Sequence, residues 1–151
     1  MRTVWRLCSA RFADSAMSGE GARLYGGRWN RRGTSMVYCA STLSLGMLEV
    51  LVHSSVLPRD YVAIRVDIPD GIAVETLAVG SLPANWVATP APALLATIGS
   101  RWVAQGSACA LEVPSAVVAI ETNVVLNPSH PDMNRLRVHP AAPLAFDARL
   151  G

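Results

Sequence analysis

The sequence predicts an α+β domain in which strands outnumber helices. Three observations carry that expectation. Short apolar runs of strand type recur along the chain, whereas only two stretches have helical character. The two kinds do not alternate in βαβ order, which argues against a doubly wound parallel sheet. No Gly-x-Gly-x-x-Gly follows a strand-like run, so a dinucleotide-binding Rossmann turn is not supported.

Taken in order, Thr3–Leu7 reads as a short first strand. Ser9–Asn30 is rich in glycine and small polar residues and reads as a loop of unusual length, which in a compact domain is usually functional. Met36–Ala40 is a second short strand. Thr42–Ser55 has helical spacing, with Ser41 or Thr42 as its N-cap and Leu45, Leu48 and Val52 on one stripe. Tyr61–Ile68 alternates: Val62, Ile64, Val66 and Ile68 face one way, and Ala63, Arg65 and Asp67 the other, as in a half-buried strand.

Pro69-Asp70-Gly71 turns the chain into a further strand candidate at Ile72–Leu77. Val79–Pro92 contains three prolines and is expected to be a loop. Ala93–Gln105 reads as a helix that buries Leu94, Ile98 and Trp102, with Gly106 as the terminating cap. Cys109–Val113, Ala119–Leu126 and Leu136–Val138 complete the strands, and Asn127–Pro131 is a turn-rich connector. Repeats, low-complexity tracts and domain linkers are missing, so residues 1–151 form one domain.

Composition narrows the function. Hydrophobic residues make up 51% and charged residues 16%, which excludes a disordered chain. A net charge of +2 is too small for electrostatic nucleic-acid binding, and the Arg31-Arg32 pair reads as a solvated loop. The cysteines, Cys8, Cys39 and Cys109, are odd in number and form no Cys-x-x-Cys, so neither a disulfide framework nor a zinc site is suggested. The histidines, His53, His130 and His139, are dispersed and read as structural. No apolar run reaches membrane-spanning length and the N-terminus lacks a signal-peptide core, so a cytoplasmic location is expected. The positive mean hydropathy fits a large core or a face covered by a partner.

The chemistry concentrates around Gly26-Gly27-Arg28-Trp29-Asn30, Tyr38 and Glu49. Adjacent glycines allow close approach of backbone to a ligand. Arg28 can fork onto a phosphate, though its spacing equally fits a surface arginine. Arg6, between Trp5 and Leu7, needs a partner, a cleft or an edge in water. Tyr38 can stack on a flat ring or simply fill a core. Glu49, between Leu48 and Val50, is costly to bury unless paired; a helix-stabilising contact with His53 at i, i+4 is the plain alternative. Ser115 follows Pro114 without a nucleophile elbow, so a hydrolase triad is poorly supported, yet its hydroxyl can orient a ligand. Asn123 can read an amide or hydroxyl, or serve as an edge-strand side chain.

As a set, these segments resemble the RES domain family of bacterial toxins, named for an arginine, a glutamate and a serine. The matching stretches are Val4–Leu7, Gly26–Asn30, Val37–Ala40, Leu45–Glu49, Val113–Ser115 and Glu121–Pro131, in matching order. Arg28, Glu49 and Ser115 fall at the name-giving positions. Tyr38 matches the active-site tyrosine, Arg6 the first-strand arginine and Asn123 a further pocket position. Gly46 departs from the family's usual alanine.

The resemblance implies an ADP-ribosyltransferase-like fold of two packed small sheets with flanking helices, with NAD as substrate and no other cofactor or metal. It also implies an Xre-family antitoxin as partner in a type II toxin–antitoxin system. Arg6 and Arg28 would hold the diphosphate or its neighbouring ribose, Tyr38 the nicotinamide, and Glu49 the developing charge. Ser115 would orient the nicotinamide or its ribose.

Three functions follow as expectations. The first is cleavage of NAD with transfer to water or phosphate. The second is mono-ADP-ribosylation of a bacterial protein such as phosphoribosyl pyrophosphate synthetase. The third, a binding module without catalysis, predicts that Arg28→Ala and Glu49→Ala leave growth inhibition intact.

Overall fold

A computed structural model describes residues 1–151. The strands are β1 (Arg2–Ser9), β2 (Val37–Ala40), β3 (Tyr61–Ile68), β4 (Val74–Thr76), β5 (Ala110–Pro114), β6 (Thr122–Leu126), β7 (Arg137–Val138) and β8 (Ala142–Leu144). The helices are α1 (Glu20–Tyr25), α2 (Leu43–Val52) and α3 (Ala93–Gln105), with four short 3-10 turns between elements. No helix is long and apolar enough to cross a membrane.

The hydrogen-bonded order is β4-β5-β6-β2-β1-β3-β7, with β8 also on β3. This path divides into two four-stranded halves, β4-β5-β6-β2 and β1-β3-β7-β8. They meet at a seam where β1 and β2 share one registered pair, Trp5 with Ala40. Within the halves pairing is extensive: β1 and β3 run antiparallel from Arg2–Ile68 to Ser9–Tyr61. Val4, Cys8, Val62, Ile64, Val66 and Ile68 of one half form a single core with Val37, Cys39, Ala110, Val124 and Leu126 of the other. The inner faces of the two halves therefore pack on each other, the arrangement expected of two small sheets.

The outer face of β2-β5-β6 carries a second core. Leu111, Val113 and Val125 pack there against Trp29, Trp86, Leu95 and Trp102. α3 supplies Leu95, Gly99 and Trp102, while Leu94 is half exposed. The expected stripe of Leu94, Ile98 and Trp102 is thus rotated by one residue, because Leu95 points at the sheet. Burying Leu95 and Trp102 contributes roughly 2–3 kcal/mol each. α3 ends at Gly106 with φ +63, a left-handed cap that glycine adopts without strain.

Thr42, not Ser41, caps α2: its hydroxyl accepts from Leu45 N at 3.1 Å. Leu45 and Gly46 are buried, but Leu48 and Val52 are 40% and 57% exposed, so the expected apolar stripe faces solvent over half its length. β3 is buried on both faces except at Arg65, which corrects the half-buried reading. Asp67 is buried because Thr3 Oγ1 (2.7 Å), Arg65 Nε (3.0 Å) and His139 Nε2 (2.7 Å) all reach its carboxylate. The long expected loop Ser9–Asn30 contains α1 and a 3-10 turn at Ala10–Ser15.

Candidate functional site

Glu49 is the centre of a polar cluster that joins α2 to β5 and β6. Gly46 sets α2 on the sheet: a Cβ there would lie 3.0 Å from Leu7 Cδ1 and 3.5 Å from Ala40 Cβ. One turn on, Glu49 is half-buried above the outer face. Its Oε1 accepts from Ser115 Oγ at 2.8 Å and from Asn123 Nδ2 at 2.7 Å. No protein donor reaches Oε2. The alternative partner, His53, instead ends α2 as its C-cap and makes no ion pair with Glu49.

Ser115 is fully buried. Its oxygen also accepts from Val117 N at 3.1 Å and Val118 N at 3.0 Å, which folds the segment after β5 into a tight turn. Its donor and its acceptor capacity are both engaged by protein groups, Glu49 on one side and the turn on the other. Asn123 sits opposite Ala40 and Val113 in the sheet, and its Oδ1 is a buried acceptor without a partner.

Tyr38 lies on the same face of β2 as Ala40, and therefore on the side of Asn123 and Glu49. Its hydroxyl accepts from Trp29 N at 3.0 Å and donates to Asn30 Oδ1 at 2.7 Å. Burial raises its pKa above the ordinary phenol value; the contacts from Trp29 and Asn30 and the nearby charge of Arg28 act the other way. It is a neutral phenol throughout the physiological range.

Arg28 is brought beside Tyr38 by the loop between them. Its guanidinium donates to Trp86 O at 2.8 Å and Ala88 O at 3.2 Å. Arg6 behaves similarly, donating to Ala16 O at 3.1 Å and Leu7 O at 3.2 Å. Neither has a carboxylate within salt-bridge distance, so no acidic side chain offsets either part-buried guanidinium. Strand alternation places Arg6 with Val4 and Cys8 on the inner face, next to the seam and away from Tyr38 and Glu49. Five of the six anticipated residues thus share one side of the sheet; Arg6 stands apart.

Two contributors lacked a sequence signal. Trp86 and Ala88 bind Arg28 through backbone carbonyls, which any residue carries. Asn30 was visible only as the end of the Gly26–Asn30 motif; burial of a polar side chain is what marks it, and burial is not written in the motif.

The RES domain model matches residues 3–147. A protein of Photorhabdus laumondii named "Toxin Res" is 40% identical over 134 residues, covering 87% of this chain and 85% of that protein. A Sphingobium protein named "Prs ADP-ribosylating toxin" is 36% identical over 154 residues, covering 98% and 96%. Among solved structures, the crystal structure of the M. tuberculosis MbcT–MbcA toxin–antitoxin complex contains a chain of the same fold. The TM-score is 0.75 with 20% identity, over 95% of this chain and 84% of that one.

Proposed function

The chain belongs to the RES domain family, and from that premise we propose that it is a toxin that cleaves the nicotinamide–ribose bond of NAD. The observation that carries the reading is the carboxylate of Glu49, held at Oε1 by Ser115 and Asn123 while Oε2 is left free. Breaking a glycosidic bond develops an oxocarbenium-like charge on the ribose. A fixed carboxylate stabilises such a charge without reorganising, and its free oxygen accepts a hydrogen bond from the ribose 2′-hydroxyl.

Around it, Tyr38 stacks on the nicotinamide ring. Arg28, without a carboxylate partner, binds the diphosphate and exchanges carbonyl contacts for charged ones. Ser115 acts through Glu49. Asn123 holds Glu49 from the pocket side, and its unpaired Oδ1 is an acceptor available to a rearranged pocket. NAD is the substrate, and the mechanism uses no metal or further cofactor. The ADP-ribose passes to water or inorganic phosphate.

The second reading, transfer of ADP-ribose to a protein, is supported by the Sphingobium relative named as an ADP-ribosylating toxin, alike over nearly the whole chain. Phosphoribosyl pyrophosphate synthetase is the acceptor to test. An antitoxin of the Xre type is the proposed partner, supported by the toxin–antitoxin complex that shares this fold.

The deciding experiment follows NAD by NMR with purified protein, in phosphate and phosphate-free buffer, beside Glu49→Ala. Nicotinamide released by the parent alone supports cleavage, and phosphate dependence separates phosphorolysis from hydrolysis. No turnover in either buffer, with a protein labelled by isotopic NAD in lysate, favours the transferase. The absence of both turnover and label removes the enzymatic reading.

A further inference from the structure

The residues Gly27, Trp29 and Asn30 wrap one atom, the Tyr38 hydroxyl oxygen. Trp29 N donates to it at 3.0 Å and Asn30 Oδ1 receives its proton at 2.7 Å. Gly27 packs so closely that a Cβ would lie 2.7 Å from the hydroxyl and 3.0 Å from Asn30 Oδ1. Asn30 itself is 1% exposed. Its Nδ2 is surrounded by three carbonyl oxygens: Ala22 at 2.7 Å, Thr34 at 3.0 Å and Arg31 at 3.2 Å.

Those three acceptors settle which end of the amide is which. Only the NH2 group can face carbonyls, so Oδ1 must face Tyr38, and the phenol must be the donor. The Tyr38 proton therefore points into the loop and not toward a ligand.

We infer that Asn30 is a positioning residue: it fixes the Tyr38 hydroxyl and, through it, both the ring and the loop that carries Arg28. With Cα held in β2 and the hydroxyl held by Asn30 and Trp29, the ring has no freedom to swing. Tyr38 then acts by the face of its ring and takes no part in proton transfer. The same amide ties α1, at Ala22, to the loop at Arg31–Thr34, so the arginine between Gly27 and Trp29 is carried on a braced backbone.

The test has a structural arm and a kinetic arm, and only the kinetic arm rests on the NAD reading. In the structural arm, NMR should show the Tyr38 hydroxyl proton in slow exchange in the parent. It should vanish in Asn30→Ala and in Gly27→Ala, whose Cβ would meet the hydroxyl at 2.7 Å and push it off its acceptor. In the kinetic arm, nicotinamide release is measured for Asn30→Ala, Gly27→Ala, Tyr38→Phe and the double variant Asn30→Ala/Tyr38→Phe.

Asn30→Ala and Tyr38→Phe are each expected to lower kcat/KM about tenfold, mainly through KM. The double variant should lose no more than the worse single, because both remove one contact. Gly27→Ala should lose a similar factor. A double variant about a hundredfold down, the product of independent effects, overturns the assignment. So does survival of the hydroxyl resonance in Asn30→Ala or in Gly27→Ala. Should Asn30→Ala not fold, Gly27→Ala and Tyr38→Phe still decide the question. Should the parent release no nicotinamide, the functional reading fails while the hydroxyl proton still tests Asn30.

Discussion

Gly99 of α3 lies against the backbone of Trp29, so closely that a Cβ at position 99 would stand 1.7 Å from the Trp29 carbonyl oxygen. Helix and site loop touch main chain to main chain there, and neither can yield as a side-chain tip would. Gly99→Ala is expected to cost at least the roughly 1–3 kcal/mol typical of overpacking, and to displace the Arg28 loop. Urea unfolding measures it. Gly21→Ala in α1, where nothing lies within 4 Å, is the control and should gain about 0.5–1 kcal/mol. Equal midpoints for the two variants would contradict the packing.

Glu49→Gln keeps the shape of the side chain but removes its charge. NAD cleavage is expected to fall by about a hundredfold or more in kcat, with a melting temperature close to the parent's. Nicotinamide release by Glu49→Gln at the parental rate would remove the electrostatic role.

Ser115→Ala tests a different link. It deletes the bond to Glu49 Oε1 and also leaves Val117 N and Val118 N without their acceptor. A stability loss of about 1–3 kcal/mol is expected, with lower kcat and little change in KM, since Ser115 reaches substrate only through Glu49. A selective rise in KM would instead indicate direct contact with NAD.

Acid should weaken the fold through Asp67. The Thr3 hydroxyl first, then the His139 ring and Arg65, hold its carboxyl well below the ordinary carboxylate range. In the unfolded chain it titrates near ~3.9. The folded state binds the proton less readily, so this contribution is whole above about pH 4 and fades as pH falls further. Asp67→Asn should be less stable at neutral pH and should show a flatter decline of melting temperature below about pH 4. Parallel acid limbs for parent and variant would show that Asp67 is not the group responsible.

The three thiols offer a fifth check. Cys8, Cys39 and Cys109 are all buried, and burial raises each one, Cys39 to about 12. Thiolates are the reactive form, so a disulfide reagent at pH 8 should modify none in the native protein and all three after denaturation. Rapid native labelling would mean that the core opens.

What could be read from the sequence was what local pattern encodes. α3 was legible to the residue because Pro92 precedes it and Gly106 follows it. β3 was legible from its alternation, and the family motif singled out Arg28, Tyr38 and Glu49 as candidates. α1 was not legible: six residues after a glycine N-cap give no apolar stripe to detect. β8 was missed because it is three residues with a proline, tolerable only at the edge of a sheet. The direction of Leu48 and Val52, the burial of Asp67 and the true partners of Ser115 and Asn30 depend on residues remote in the chain. No local window contains them.

The two halves of the sheet are interleaved along the chain: β1, β3, β7 and β8 make one, and β2, β4, β5 and β6 the other. Translation therefore completes neither half early. A ribosome that has made Glu49 has yet to make Ser115 and Asn123, and the last strand of the first half, β8, ends only at Leu144. Nascent and prematurely terminated chains carry the carboxylate without the groups that hold it, so a cell making this protein meets an assembled site only after Asn123 has been made and folded.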